Sequence, residues 1–202
     1  MVVEADFVPI VGMGGMPLPF PEASPGTGRF GWLYSAGSIL YGIDEFGLPH
    51  GHGNTTVAYA LDRDAALHLL GFFEREMRQP EVGTYRPWET YLGIYLRKEC
   101  GIRNYFTPRQ YGEHGGVANR EHRLAGARAW HEADILAGRL AFHPPYARGS
   151  LARYRARRFR GWARGLYRLV TLRFFDPRYV SEDSARGRLA MAWFAVRRLV
   201  AK

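Results

Sequence analysis

The order of hydrophobic and polar residues along the chain predicts short strands that alternate with amphipathic helices. Residues 55–61 combine β-branched and aromatic side chains, which favours a strand. Asp62 follows as a candidate N-cap, and apolar residues at helical spacing predict a helix to about residue 77. A second helix is predicted directly after a proline, over residues 88–98, and residues 102–106 predict another short strand.

Glycine and proline indicate where the chain is irregular. Residues 9–31 contain many of both and predict a long loop. Residues 31–41 predict a short strand, which a turn over residues 42–53 follows. Further along, a turn rich in Gly and His is predicted at 109–116, and a polar, His-bearing helix from 121 to 138. Together these elements predict an α/β fold.

The C-terminal segment predicts two basic amphipathic helices, at about 151–174 and 184–201, with a break at Asp176 and Pro177. In the first helix, apolar side chains share one face and arginines cover the rest. Such a helix either packs on the body with its arginines in solvent or lies on an anionic membrane surface. The apolar positions are Tyr154, Trp162, Leu166, Leu169 and Val170, and the arginines are Arg153, Arg157, Arg160, Arg164 and Arg168.

Charge is distributed unevenly and divides the chain in two. The whole chain carries a net charge of +9, but residues 148–202 hold 15 Lys+Arg and three Asp+Glu, a balance of +12. Residues 1–147 therefore carry −3. We expect a nearly neutral body over 1–147 and a basic helical tail over 148–202. Hydrophobic residues make up 47% of the chain, which fits a globular protein, and the single cysteine fits a reducing compartment.

Two acids near the N-terminus are the strongest candidates for chemistry. Apolar and β-branched neighbours favour a strand over residues 2–8, in which Glu4 and Asp6 point to the same face. Adjacent carboxylates repel each other unless a cation compensates them, and a hard divalent ion such as Mg²⁺ or Mn²⁺ takes these oxygen ligands. Taken alone, the local pattern favours an edge strand with two solvated acids over a metal site.

Three later segments carry polar groups of the kinds that bind nucleotides or sugars. His52 and Asn54 lie in a glycine-rich turn, which either brings the backbone close to a phosphate or sugar or is an ordinary turn. Glu89 stands in the first turn of a predicted helix, as a general base or as a complement to the helix dipole. Arg109 and His114 belong to the glycine-flanked turn, where a histidine can ligate a metal or face a diphosphate.

The order of these features resembles that of the glycosyltransferases of the GT-A fold. The stretch from residue 2 to about 122 is similar to bacterial lipopolysaccharide-biosynthesis glycosyltransferases related to family 25. In that family a Leu-Glu-Asp-Asp-like sequence closes a strand, and this chain has Val3-Glu4-Ala5-Asp6 at that place. A later strand and helix of the family are matched by residues 57–67, Val-Ala-Tyr-Ala-Leu-Asp-Arg-Asp-Ala-Ala-Leu.

The resemblance implies transfer of a sugar from a nucleotide-sugar donor to a saccharide or lipid-linked acceptor in lipopolysaccharide or cell-envelope polysaccharide synthesis. Glu4 and Asp6 would hold a divalent cation, Mn²⁺ or Mg²⁺, with His114 as a further ligand. Glu89 would be the catalytic acid facing the acceptor, acting as a general base if the reaction inverts configuration. The residues that contact the donor would be His52, Asn54 and Arg109.

The resemblance also implies an incomplete GT-A-like (Rossmann-like) mixed sheet with flanking helices, plus the basic C-terminal helical appendage. In the family the acidic strand comes in the middle of the nucleotide-binding domain, whereas here it begins at residue 2. We therefore expect the first part of that domain to be missing. Unpaired strand edges and exposed apolar surface would then make the chain self-associate.

We expect a cytoplasmic protein that lies peripherally at the inner face of the membrane, because its basic tail complements an anionic leaflet. No apolar run in the sequence reaches the length that spans a bilayer. The alternative is a non-catalytic module that binds anionic membrane or RNA through its Arg-rich helices. No nucleic-acid partner is expected, because no nucleic-acid-binding motif accompanies those helices.

Overall fold

The computed structural model describes residues 1–22, 28–53, 55–78, 88–115, 132–147, 149–171, 173, 189, 192–194 and 196–197. That part of the chain has an α/β fold, as the sequence predicts. The strands are β1 (Val2–Val3), β2 (Phe7–Pro9), β3 (Phe30–Trp32), β4 (Ile39–Ile43), β5 (Pro49–His52), β6 (Ala58–Leu61), β7 (Asn104–Phe106) and β8 (Gly112–His114). The α-helices are α1 (Arg63–Met77), α2 (Trp88–Lys98) and α3 (Leu151–Val170).

Six strands form one mixed sheet in the order β1-β6-β3-β7-β5-β4. The pair β3–β7 is parallel, with Phe30 opposite Asn104, and the other pairs in this sheet are antiparallel. β2 and β8 form a separate antiparallel pair, in which Phe7 lies opposite His114. The predicted mixed sheet with flanking helices is therefore confirmed.

Two hydrophobic cores lie on the two faces of the six-stranded sheet, because successive residues of a strand point to opposite faces. In β6, Tyr59 belongs to the core under α1 and α2, whereas Ala58 and Ala60 belong to the core shared with β2 and β8. The buried helix residues of the first core are Ala65, Leu69, Phe72, Leu92 and Leu96. The second core brings β8 against the main sheet and so positions His114.

α1 and α2 match their predictions, because the signals that start them are local. Asp62 is the N-cap of α1: its Oδ1 accepts a hydrogen bond from the Ala65 amide at 2.9 Å, and its Oδ2 accepts one from Arg29 Nε at 2.9 Å. The helix ends at Met77, as expected. β6 and β7 likewise lie inside the stretches predicted as strands.

The N-terminal prediction of one strand over residues 2–8 is wrong. The chain turns at Ala5 and Asp6, so β1 joins the six-stranded sheet while β2 pairs with β8. The carboxylates of Glu4 and Asp6 therefore approach each other across a turn and not by alternation along a strand.

Two predicted turns are strands. Residues 42–53 belong largely to the hairpin of β4 and β5, where a Cβ on Gly51 would lie 2.1 Å from the Ile39 carbonyl oxygen. The segment around His114 ends in β8. In both cases the glycines allow two strands to approach closely. In the sequence, glycines with this role are indistinguishable from glycines that form a turn.

The C-terminal half is partly outside the described residues. Of the helix predicted over 121–138, residues 121–131 are not described, and residues 132–138 are irregular, not helical. α3 confirms the first basic helix. The described residues of the second, 189, 192–194 and 196–197, are helical, and the break predicted at 176–177 lies outside the described residues.

We expect Asp62→Ala to lower the free energy of unfolding by about 1 to 2 kcal/mol, because α1 loses its N-cap. Burial alone would raise the pKa of Asp62, but the amides of Ala65 and Arg29 and the Arg29 guanidinium lower it on balance. The stabilisation is therefore present above the ordinary carboxyl pKa of about 4 and is lost as the pH falls through the lower folded value. Urea unfolding at neutral and acidic pH measures both effects.

The matched control for this prediction is Asp64→Ala, an exposed acid in the first turn of the same helix. It should change stability much less than Asp62→Ala does. Equal losses in the two variants would show that general charge at the helix start, not the cap, carries the effect.

Candidate metal centre and its supporting ion pairs

The three residues predicted as metal ligands lie together in the folded chain. One oxygen or nitrogen atom from each of Glu4, Asp6 and His114 lies within 4.8 Å of the other two. His114 Nε2 is 3.0 Å from Asp6 Oδ2, and Glu4 Oε1 accepts a hydrogen bond from Thr56 Oγ1 at 3.0 Å. Residues more than 100 positions apart in sequence thus converge on one point.

The pairing of β2 with β8 brings these ligands together. The Gly115 amide donates to the Asp6 carbonyl oxygen at 2.7 Å, which extends the ladder beyond His114. A Cβ on Gly115 would lie 2.7 Å from that same oxygen, and a Cβ on Gly112 would lie 2.3 Å from the Phe7 ring. The glycines that flank His114 in the sequence therefore hold it next to Asp6.

The three ligands differ in their exposure to solvent. A cation held by such a set can also bind a substrate, because one side of it stays accessible. The His114 side chain is 10% exposed and the Asp6 side chain 26% exposed, whereas Glu4 lies at the surface. Opposite ligands of an octahedral Mg²⁺ are about 4.2 Å apart, twice the metal–oxygen bond, so a small side-chain adjustment would close the cluster around an ion. An ion held there would have coordination positions open to solvent.

Glu113 precedes His114 in β8 and anchors the strand on the face opposite to His114. Its carboxylate is fully buried and accepts hydrogen bonds from the Tyr146 hydroxyl and from Arg158. Burial raises the pKa of Glu113, and the facing guanidinium and hydroxyl offset this only in part. Because neighbouring strand residues point to opposite faces, fixing Glu113 also fixes the direction of His114.

The arginine that holds Glu113 belongs to a row on α3 that faces inward. Arg157 pairs with Glu132, and Arg164 Nε donates to Asp134 Oδ1 at 2.6 Å. Arg168 Nη1 donates to Asp134 Oδ2 at 2.9 Å and also contacts the Ser38 carbonyl oxygen. The predicted solvated positions of Arg157, Arg164 and Arg168 are therefore wrong, since these side chains neutralise buried acids of the body. Burial lowers the pKa of Arg168, and Asp134 opposes the change.

Two glycines let α3 approach the acids closely. A Cβ on Gly161 would lie 2.5 Å from the Ala133 carbonyl oxygen, and one on Gly165 would lie 3.1 Å from Asp134 Cβ. The sequence carries this signal as glycines and arginines at a spacing of three and four residues. Sequence reasoning missed it because the arginines alone suggested a solvent-facing surface.

Of the other predicted site residues, those at positions 52 and 89 lie away from the cluster. His52 lies at the end of β5, four strands from β1 in the sheet, which is a separation of at least about 19 Å. A Cβ on Gly93 would lie 3.2 Å from His52 Nδ1, and position 89 lies one helical turn before Gly93 in the first turn of α2. Arg109 is half-buried ahead of β8, and Asn54 lies outside the described residues.

No protein-family model matches this chain, and neither a curated protein nor a solved structure is similar to it at a significant level.

We expect saturating Mn²⁺ to raise the unfolding temperature of the wild-type chain, because an ion that binds only the folded state stabilises it. At about 100 times its dissociation constant the gain is about 2.7 kcal/mol. Asp6→Asn should abolish this shift, and Asp64→Asn, the same substitution at an exposed acid of α1, should retain it. Equal shifts in all three proteins would exclude Asp6 as a ligand.

We expect Glu113→Gln to lower the free energy of unfolding by about 3 kcal/mol or more, because it leaves the mostly buried Arg158 without its counter-ion. Glu99→Gln is the control: its partner Arg75 is 2.8 Å away, but both side chains are exposed, so stability should hardly change. Urea unfolding of the two variants makes the comparison. A loss in Glu113→Gln no larger than in the control would mean that the buried pair does not fix β8.

Proposed function

We propose that this chain is a metal-dependent glycosyltransferase of the GT-A type, which moves a sugar from a nucleotide-sugar to a saccharide or lipid-linked acceptor in cell-envelope synthesis. The observation that carries the proposal is the convergence of Glu4, Asp6 and His114. An acid pair and a distant histidine are the ligand set that the resemblance to lipopolysaccharide glycosyltransferases implies. The mixed sheet is compatible with that fold.

In the proposed site each ligand has a part that follows from its surroundings. The β2–β8 ladder holds His114 and Asp6 in place before a metal binds. The exposed Glu4 would be the third ligand, on the solvent side of the cluster. A divalent cation would neutralise the charge that develops on the leaving diphosphate. Carboxylate oxygens with an imidazole suit Mn²⁺ and Mg²⁺, and either serves this role.

The catalytic base is left unassigned in this proposal. The backbone position of Glu89 places it in the part of α2 that packs near His52, across the sheet from the triad. A base for the acceptor hydroxyl must lie within hydrogen-bond reach of the reacting sugar. For the same reason we assign no diphosphate contact to His52, whereas the proposed donor contacts of Asn54 and Arg109 stay predictions.

The alternative is a non-catalytic module that binds anionic membrane or RNA through its Arg-rich helices, and its RNA-binding form is less well supported. Four arginines of α3 are engaged with Glu113, Glu132 and Asp134 and are not free to contact phosphates. A truncation before α3 would not separate the two functions, because it would leave those three buried acids without counter-ions.

We also propose that the chain acts peripherally at the inner face of a membrane, where lipid-linked acceptors are assembled. Among the described helices, none is long and apolar enough to cross a membrane. In this proposal the attachment lies along the surface of a helix.

We expect UDP to bind the wild-type chain only when Mn²⁺ is present, because the cation would bridge the carboxylates and the diphosphate. Titration calorimetry with UDP, with Mn²⁺ and with both separates the contributions. Asp6→Asn should lose the Mn²⁺-dependent binding, and Asp64→Asn should keep it. UDP binding that needs no metal, or that persists in Asp6→Asn, would contradict the proposed site.

A further inference from the structure

α3 has the reverse of the usual amphipathic arrangement. Its arginines at 157, 158, 164 and 168 face the body and its glycines at 161 and 165 touch it. A surface helix ordinarily buries an apolar stripe and exposes its charges. Here the stripe that faces the body is the charged one, and apart from Tyr154, which packs on the core, large apolar side chains of the helix lie on the outside: Phe159, Trp162, Tyr167 and Val170 are exposed.

The outer face is a continuous apolar stripe. Phe159, Trp162, Leu166 and Val170 follow each other at intervals of three and four residues, which places them on one side of the helix. Phe159 is 68% exposed and Val170 is 74% exposed, and the rings of Phe159 and Trp162 lie 6.0 Å apart. Leu166 is half-buried, but Phe159, Trp162 and Val170 are exposed, so burial within this chain does not explain why those three residues are apolar.

Exposed arginines surround this stripe. Arg155 and Arg173 lie near its two ends, with Arg173 over the ring of Tyr167 at 5.3 Å, and Arg153 and Arg160 lie along one flank. No Asp or Glu occurs between residues 151 and 171. The outer surface of α3 thus combines apolar side chains with positive charge only.

We infer that the outer face of α3 is the membrane-docking surface of this protein and that it binds a bilayer rich in anionic lipid. The stripe of Phe159, Trp162, Leu166 and Val170 inserts between the acyl chains just below the headgroups. The exposed arginines reach the lipid phosphates with their long side chains. The inference deepens the proposed peripheral attachment and rests on it, but it does not depend on sugar transfer.

Charge complementarity favours lipid over a second copy of the chain. If two α3 helices packed through their outer faces, arginines near the ends of the stripes would meet arginines in either orientation, because both ends are basic. Like charges brought together in this way are destabilising. An anionic lipid surface supplies the missing negative charge and also an apolar phase for Phe159 and Val170.

Docking through this face sets the position of the proposed metal centre. Arg158 extends from the inner side of α3 to Glu113, the neighbour of His114. A helix with its side chains is about 10 to 12 Å across, so the strand that carries His114 would lie about one helix diameter from the membrane surface. Because Glu113 points toward α3, His114 points to the far side of the strand, so the metal centre would lie farther from the membrane than the strand itself.

The test is co-sedimentation of the full chain with large vesicles, either pure phosphatidylcholine or an equal mixture of phosphatidylcholine and phosphatidylglycerol. We expect strong partitioning to the anionic vesicles only, weakened by salt. Phe159→Gln with Val170→Gln should weaken it roughly tenfold or more. Arg155→Gln with Arg173→Gln should weaken it about fivefold for each arginine.

The matched control is Leu67→Gln with Leu70→Gln, two exposed apolar residues on α1, which should leave partitioning unchanged. Thermal unfolding of each variant checks that the substitutions leave the fold intact. The inference is overturned if the wild-type chain ignores anionic vesicles, or if the α3 and α1 variants behave alike. It is also overturned if the α3 stripe instead mediates dimerisation in ultracentrifugation or binding to an RNA homopolymer.

The vesicle experiment and the nucleotide titration fail independently. UDP titration of the wild-type chain without vesicles measures the proposed donor site alone, whereas partitioning without nucleotide measures the α3 surface alone. Loss of the first signal with the second intact would remove the glycosyltransferase proposal and leave a membrane-binding protein.

Discussion

Three buried carboxylates lie beneath α3, and the position of the helix and of β8 depends on the arginines that neutralise them. Glu113, Glu132 and Asp134 are almost completely buried, and an unpaired buried charge costs several kcal/mol. The paired network is no large source of net stability, since desolvation offsets most of its attraction. Its effect is to fix the position of α3, because a shift of the helix would separate the arginines from the acids with which they pair.

The candidate metal centre is a consequence of that geometry. Arg158 and Tyr146 hold Glu113, Glu113 lies next to His114, and the Gly115 amide ties the same strand to the carbonyl of Asp6. His114 therefore sits on a strand that is fixed from both sides, and Asp6 is tied beside it, which is what a preorganised binding site requires. The same contact turns the apolar side of α3 outward, so one interaction shapes both the site and the proposed membrane surface.

The sequence predicted those parts of the structure whose cause is local. An N-cap at Asp62 and the proline before residue 88 start α1 and α2, and alternating residues make β6. Glu4 and Asp6 were singled out by an alternation along a strand that the fold does not have, and His114 by its glycine-flanked turn, while the family resemblance joined the three into one ligand set. The predictions that failed depend on contacts between residues distant in sequence. Glycines such as Gly51, which allow a neighbouring strand to approach, look like turn residues in the sequence. Arginines that pair with distant acids, such as Arg158, look like solvated residues. A single sequence does not indicate which distant residues will face each other.

Electron–nuclear double resonance of Mn²⁺, added together with UDP, tests the central claim most directly. We predict nitrogen coupling from the His114 imidazole, and His114→Ala should remove it. In the wild-type chain we also predict phosphorus coupling from the diphosphate of UDP. Mn²⁺ that couples only to water protons, or nitrogen coupling that persists unchanged in His114→Ala, would contradict it.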